Sequence, residues 1–453
     1  MTKLRSHVVR RVAALAILIP PQCMAQESSV TAPVAIVNVN VIPMDTERVL
    51  ERQTVIIANG RITRLGDARS MPVPSGAQRI DGSGKYLLPG LADMHVHFHG
   101  NPPNEYGLLL PLYVANGVTT ILSLRGMPSM LELRNDLTAG RVFGPRMYTV
   151  GSYINQPLVT TPDEVEHAVV AQKRDGYDFV KLHGDLSREA YERLLAVAQR
   201  EGIRVVGHAP RNLGVEAMFA ERAAAPQYAL VHAEEFLYDR QNRSTDSSLP
   251  HVEARIPELA RATAAARIWL MPNLTAYKAI ARMVHDLDAV LARPEVRYLP
   301  RSSQVMWGPA TNPYTNRIRP DRYEPMMRRY ALLEKLVKEF HGRGVRMLIG
   351  TDAMNTGVVP GWSAHDEMAD LVAAGVPRYE VLRAATANAA EFLGEPEQRG
   401  TVAVGQQADL VLLDASPLAD IANTRRIAGV MLRGRWLSRD DLAAMLERLR
   451  APS

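Results

Sequence analysis

The chain has 453 residues, 47% hydrophobic and 22% charged, a composition that excludes a disordered or collagen-like polymer and leaves room for one large domain and a smaller one. Its formal net charge of +5 is a property of the N-terminus. Residues 1–25 hold Lys3, Arg5, Arg10 and Arg11 and no acid, so without those four bases Lys+Arg falls from 53 to 49 against 48 Asp+Glu, a charge of +1. That balance implies no nucleic-acid surface.

The first 25 residues read as a signal peptide. MTKLRSHVVRR is basic, VAALAILI is a short apolar run, and QCMAQES supplies a cleavage site after Ala25 with Cys23 at −3. The apolar run is too short to span a bilayer. The expected product is therefore exported, periplasmic or secreted, with no membrane contact once the signal is removed. Arg10-Arg11 raises a twin-arginine route, although the flanking residues match it poorly. The single cysteine leaves with the signal, so a metal site in the mature chain has no thiolate to use.

From residue 34 to about 88 the texture is strand and turn: AIVNVNVI, TVIIANGRITRLG and KYLLPG, with Asn59-Gly60 as a hairpin signal. The same texture returns in DLVLLD and IAGVMLRGRWL. Neither end shows long helical periodicity. One small β-domain built from residues 26–88 and 400–453 is expected, with the middle of the chain inserted between its halves.

The middle, residues 89–399, repeats apolar runs that end in polar residues: LADMHVH, VTTILSLRG, MYTVGSYIN, DFVKLHGD, RVVGHAP, ALVHAEE, IWLMPNLT and RMLIGTDA. Helical patterns separate most of them. In one, Met326, Met327, Tyr330, Leu333, Leu336, Val337 and Phe340 recur at helical spacing. Eight strand–helix units in order predict an α/β fold, a (β/α)8 TIM barrel. Residues 277–325, rich in Arg, Pro, Tyr and Asn, make an unusually long interval before the last strand. They read as a lid or substrate-binding insertion, or equally as a surface excursion.

In such a barrel the chemistry sits at the carboxyl ends of the strands. The polar residues that end the runs are His95 and His97, Lys181, His208, His232 and Asp352. Any one strand-end histidine is ordinarily just a hydrogen-bonded polar residue. Six such groups in barrel phase point to metal. Neutral imidazole and carboxylate suit zinc or a similar divalent ion. His95, His97 and Asp352 can hold one ion, and His208 and His232 a second. Two ions about 3.5–4 Å apart need a bridge. A protonated Lys181 has no lone pair to offer, whereas its carbamate, formed with carbon dioxide, would bridge well. The alternatives for Lys181 are an ion pair or a cation that binds substrate.

PGLADMHVH, the lysine of DFVKLHGD, the histidines of VVGHAP and LVHAEE, and GTDA resemble the amidohydrolase superfamily. So do KYLLPG, HDEMADLVAAGVPRYEVLRAATANAAEFLG, and the closing GTVAVGQQADLVLLDASPLADI with GVMLRGRWL. The resemblance implies that the terminal β-domain is a sandwich beside the barrel. It also implies that His95, His97 and Asp352 bind the buried ion and that His208 and His232 bind the more exposed one. Carbamylated Lys181 and a hydroxide would bridge the two, and Asp352 would act as general base and then general acid.

Deaminases of the superfamily usually place a glutamate shortly after the fifth-strand histidine. Here APRNLG follows His208 and the first acid is Glu216, so hydrolysis of a C–N bond is expected instead. The prolidase-like and imidazolonepropionase-like members look most similar, which implies a dipeptide or N-acyl amino acid as the small-molecule substrate. Those members often carry a tyrosine where this chain has Pro210 and Arg211, which leaves the partner that polarises the carbonyl open. A lactonase or phosphotriesterase on the same scaffold, or a metal-binding protein without catalysis, are the other readings. A homo-oligomer is compatible with the sequence.

Candidate substrate residues just beyond strand ends are Arg125, Tyr153, His183, Arg211 and Tyr277. Arg125 or Arg211 could clamp a carboxylate, or each could be a structural ion pair. His183 could instead steady a metal ligand from behind. His99 falls in a loop, Asp93 buttresses the histidine pair or caps a turn, and His365 reads as structural.

Overall fold

The computed structural model describes residues 32–98, 104–219, 227–238 and 248–450. The segment read as a signal peptide, Cys23 and His99 lie outside them. The N-terminal strands are β1 (Val34–Val41), β2 (Leu50–Ala58), β3 (Arg61–Asp67), β4 (Gln78–Asp81) and β5 (Tyr86–Pro89). β2 and β3 pair antiparallel across Asn59 and Gly60, whose φ values of 51° and 72° suit a two-residue hairpin turn.

Seven strands follow, each paired in parallel with its neighbours: β6 (Leu91–Val96), β7 (Val118–Ser123), β8 (Arg146–Thr149), β9 (Phe179–Leu182), β10 (Arg204–Gly207), β11 (Ala229–Val231) and β12 (Trp269–Met271). β6 to β8 form one sheet and β9 to β12 another. Val150 bridges to Phe179 and Ile154 to Leu182, which joins the two.

The eighth apolar run differs from expectation, because it makes bridges rather than a continuous strand. Met347 bridges Leu270, and Ala353 bridges Val96. The Met94 N–H donates to the Ile349 carbonyl (2.7 Å) and the Asp352 N–H to the His95 carbonyl (2.7 Å). Hydrogen bonding therefore passes from β12 through residues 346–353 back to β6. The interruption coincides with a contact to the first strand. The Asp93 carboxylate accepts from the Thr351 N–H (3.0 Å) and hydroxyl (2.6 Å), and Asp352 adopts φ +62°. Asp93 thus fastens the last segment to the first strand. Met94, Leu122, Phe179, Val206, Val231 and Trp269 from these strands form an apolar cluster with Leu348 of the eighth segment and Phe392 of the helix Ala387–Leu393.

The chain closes with β13 (Leu410–Leu413), β14 (Ile427–Leu432) and β15 (Arg435–Ser438). They join the N-terminal strands in one eight-stranded sheet of order β15-β14-β13-β5-β1-β2-β3, with β4 on β1. The seam between the two ends is antiparallel, Leu410 facing Pro89 and Leu413 facing Tyr86. Val39, Val41, Val55, Ile57, Leu87, Leu410, Leu412 and Met431 form its core.

The C-terminal end, which shows no long helical periodicity, nevertheless closes on a short helix. Arg439–Leu449 is a helix opened by a capping box between Ser438 and Asp441, with Leu442 and Met445 buried. At three turns it is too short to give a strong periodic signal beside the strands. The methionine- and leucine-rich pattern does form a helix, Tyr323–Gly342, burying Met326, Tyr330, Leu333, Leu336, Val337 and Phe340. Residues 277–325 contribute to the helices Leu274–His285, Leu287–Leu291 and Arg301–Trp307, and the Trp307 side chain is fully buried. No helix among the described residues is long and apolar enough to cross a membrane. The chain is a mixed α/β protein.

Candidate metal centre and its cavity

Parallel strands bring their carboxyl ends to one side, and the six candidate ligands stand there. His95 lies in β6 and His97 follows it; Lys181 is the third residue of β9; His208 and His232 directly follow β10 and β11; Asp352 ends the irregular eighth segment. Gly207 shows why the fit is tight. At φ +133°, a Cβ there would lie 2.1 Å from the Leu182 carbonyl oxygen, so only glycine lets β10 approach closely enough for the His208 N–H to reach that oxygen at 3.0 Å.

The side chains converge. Asp352 Oδ1 lies 2.9 Å from His97 Nε2 and 3.3 Å from His95 Nε2, and the two Nε2 atoms are 3.1 Å apart. His232 Nε2 is 4.0 Å from Asp352 Oδ2. The His95 and His232 rings are 5.0 Å apart between centroids, and the His232 and His208 rings 4.9 Å. Lys181 is fully buried, and its Nζ has no hydrogen-bond partner among the described residues.

Two neighbours fix imidazole tautomers, and the sequence reading passed over both. Asn273 donates from Nδ2 to the Gly350 carbonyl (2.7 Å), which orients its amide. Its Oδ1 then accepts from the His232 N–H (3.0 Å) and faces His95 Nδ1 (3.2 Å). Facing an acceptor, Nδ1 of His95 carries the proton and Nε2 keeps its lone pair. The second is Glu235, whose Oε1 lies 2.6 Å from His208 Nδ1 and has the same effect there. The visible signals were the asparagine ending IWLMPN and the paired acids of LVHAEE. His232, Asn273 and Asp352 all hold positive φ, 66°, 54° and 62°, a backbone cost of the kind that collects at functional sites.

Burial sets the protonation states. It pushes His95 and His208 well below the ordinary imidazole value and His232 down to about 4, so all three are neutral at pH 7. Burial would raise the Asp352 carboxyl, but His95, His97 and His232 outweigh it and hold the group well below the usual range. Burial lowers Lys181 to about 7, against the opposing pull of Asp352 and Glu235. Neutral imidazoles, an ionised carboxylate and an unpartnered buried amine form a donor set that fits divalent metal.

A cavity of about 590 Å³ opens over these groups. All five candidate substrate residues, Arg125, Tyr153, His183, Arg211 and Tyr277, line it. The Tyr153 and His183 rings stack at 4.6 Å and 9°, and His183 meets His208 edge-on at 4.7 Å. Burial pushes His183 down to about 4 and Tyr153 up to about 12. Of the two readings of Arg211, the structure displays the ion pair: its Nη2 is 2.6 Å and its Nε 3.0 Å from Glu235 Oε1.

Glu234, Tyr314 and Asn355 also line the cavity and were missed. Burial, with Glu235 beside it, pushes Glu234 up to about 8. The Tyr314 hydroxyl donates to Asn355 Oδ1 (2.7 Å), and Asn355 Nδ2 donates to Asp352 Oδ2 (3.1 Å). The 277–325 stretch thereby reaches the carboxylate at the centre. His365 sits apart, with its ring nitrogens against Thr424 Oγ1 (2.9 Å) and the Asn116 carbonyl (3.0 Å), in keeping with a structural role.

A model of the amidohydrolase family matches residues 86–437. The chain belongs to the amidohydrolase family. This amidohydrolase is 44% identical over 52 residues to a dihydroorotase of Trichlorobacter lovleyi, and that match spans 12% of either protein's length. Among solved structures it is similar to a bottromycin amidohydrolase, with 24% identity and a TM-score of 0.72 over 92% of this chain and 90% of that one. It is also similar to a Xaa-Pro dipeptidase with bound methionine, with 19% identity and a TM-score of 0.68 over 90% and 100%. At these identities the two structures establish a common fold.

Proposed function

We propose that this amidohydrolase hydrolyses a C–N bond of a dipeptide or N-acyl amino acid, using two divalent ions of the zinc type held on a (β/α)8 barrel beside a β-sandwich. The observation that carries the reading is the convergence of His95, His97 and Asp352 within hydrogen-bonding distance, next to the buried, unpartnered Lys181 amine. His95, His97 and Asp352 would hold one ion and His208 and His232 the other, with Lys181, as its carbon dioxide carbamate, as a further anionic ligand. Bound ions would acidify a water toward neutral pH and polarise the scissile carbonyl.

Asp352 takes the proton of the attacking water and returns it to the leaving nitrogen, so that one C–O bond forms as the C–N bond breaks. Asn355 holds Asp352 Oδ2 during that exchange. Arg125 receives the substrate carboxylate, the stacked Tyr153 and His183 form a flat wall, and Tyr277 closes the far side. Glu216 supports hydrolysis over deamination: it pairs with Arg255 at 2.9 Å and does not line this cavity. Residues 1–25 direct export and leave a mature chain beginning at Gln26.

The test is a release assay on the zinc-loaded protein against a dipeptide library, N-acyl amino acids, lactones and a paraoxon-like ester. Turnover of dipeptides or N-acyl amino acids is expected. Turnover confined to lactones or phosphoesters, or no turnover of any class, would overturn the proposal.

A further inference from the structure

The metal ligands are not all supported in the same way. His95, His97 and Asp352 are tied together through β6, Asp93 and Asn273. The backbones of His208 and His232 are held by the Leu182 and Met271 carbonyls and by Asn273, but the carboxylate behind the His208 ring comes from one short turn. His232 precedes the turn Ala233–Leu237, and that turn delivers Glu235 behind the neighbouring imidazole, with Oε1 2.6 Å from His208 Nδ1. The Glu235 side chain is fully buried. Its charge is met by Arg211, which comes from the loop after His208 and makes contacts of 2.6, 3.0 and 3.3 Å to the two carboxylate oxygens. The Arg211 guanidinium in turn lies 5.0 Å over the Tyr238 ring. The loop after β10 and the turn after β11 are thus buckled together immediately behind one pair of imidazoles.

We propose that Glu235, clamped by Arg211, is a positioning residue for one metal ion only. It holds the His208 Nδ1 proton, so that the Nε2 lone pair faces the cavity, and it fixes that ring relative to His232. In this chain, then, Arg211 serves the metal site through Glu235 rather than by gripping substrate. The inference rests on the two-metal reading above. A carboxylate behind a ligating imidazole raises its basicity and fixes its orientation, and removing such a partner weakens metal binding by roughly 10–100-fold. Because His95, His97 and Asp352 do not touch Glu235, the loss should fall on one ion of the two.

The experiment is zinc titration of metal-stripped wild-type, Glu235→Gln and Arg211→Met proteins, with stoichiometry by elemental analysis and the visible spectrum of the cobalt-substituted forms as a second readout. The expected result for E235Q is one ion bound as in wild type and one weakened roughly 10–100-fold, with the cobalt spectrum reduced to a single site. R211M should show the same selective loss to a smaller degree, and it keeps the test decisive if E235Q does not fold. Wild-type affinity for both ions in the folded variants, or equal weakening of both, would overturn the proposal. A wild-type chain that takes up no zinc would instead overturn the functional reading itself, and it is told apart because it is measured on the unsubstituted protein.

Discussion

Replacing Asn273 with alanine should unfold more than a side-chain contact. Asn273 is fully buried, and its amide serves three groups on three segments: the His95 ring, the His232 N–H and the Gly350 carbonyl. Truncation leaves the His95 Nδ1 proton and the Gly350 carbonyl buried without a partner, at about 1–3 kcal/mol apiece, whereas the His232 N–H keeps the Met271 carbonyl at 2.9 Å. Alanine at φ +54° adds about 1 kcal/mol, a backbone position that asparagine tolerates. Taking the lower bound throughout gives a loss of about 3 kcal/mol, a large share of the stability of an ordinary domain. Denaturant unfolding of the metal-free protein measures it without a contribution from bound ions. Asn273→Asp, which keeps Oδ1 but cannot donate to Gly350, should fall between wild type and alanine. An Asn273→Ala protein within about 1 kcal/mol of wild type would show that the amide does not knit these segments together.

Other predictions address the carboxylate, the cavity and the periphery. Asp352→Asn should lower turnover by about 10² to 10⁴ if the group carries the proton between water and leaving nitrogen, and retention of wild-type kcat would refute that role. Arg125→Met should raise KM for substrates with a free carboxylate by roughly tenfold or more, from the loss of a charge-assisted hydrogen bond, while leaving the amidated substrates unchanged; equal losses for both would deny carboxylate recognition. His365 is pushed down to about 3 by burial and by Arg425. A depressed folded-state value means that its contribution to stability is complete above the ordinary imidazole value of 6.5 and is lost as pH falls through about 3. Between pH 7 and pH 5 that loss is about 2 kcal/mol. The difference in unfolding free energy between wild type and His365→Gln should shrink by that amount over the same interval, and a difference independent of pH would refute the assignment.

What could be read in the sequence was whatever is encoded locally. Each candidate ligand ends an apolar run of strand length, so His95, His97, Lys181, His208 and His232 could be placed without tertiary information. The Asn59-Gly60 turn and the stripe on Tyr323–Gly342 likewise carry their own signals. What was hidden depends on partners far away in the chain. Asp93 meets Thr351 across 258 residues, and that contact coincides with the break in the eighth strand. Asn273 meets His95 across 178, and Glu235 meets His208 across 27. Asn273 and Glu235 are ordinary polar residues two and four positions past a strand, where a turn cap reads the same. Arg211 could be narrowed to clamp or ion pair, and only the position of Glu235 reveals the ion pair.

The most direct test is the zinc content of the reconstituted wild-type protein beside that of Lys181→Ala. Two ions per wild-type chain, with a clear deficit in the variant, is the expected outcome. Full occupancy with alanine at position 181, or an intact protein that retains no zinc at all, would contradict a bridged pair of ions at this site.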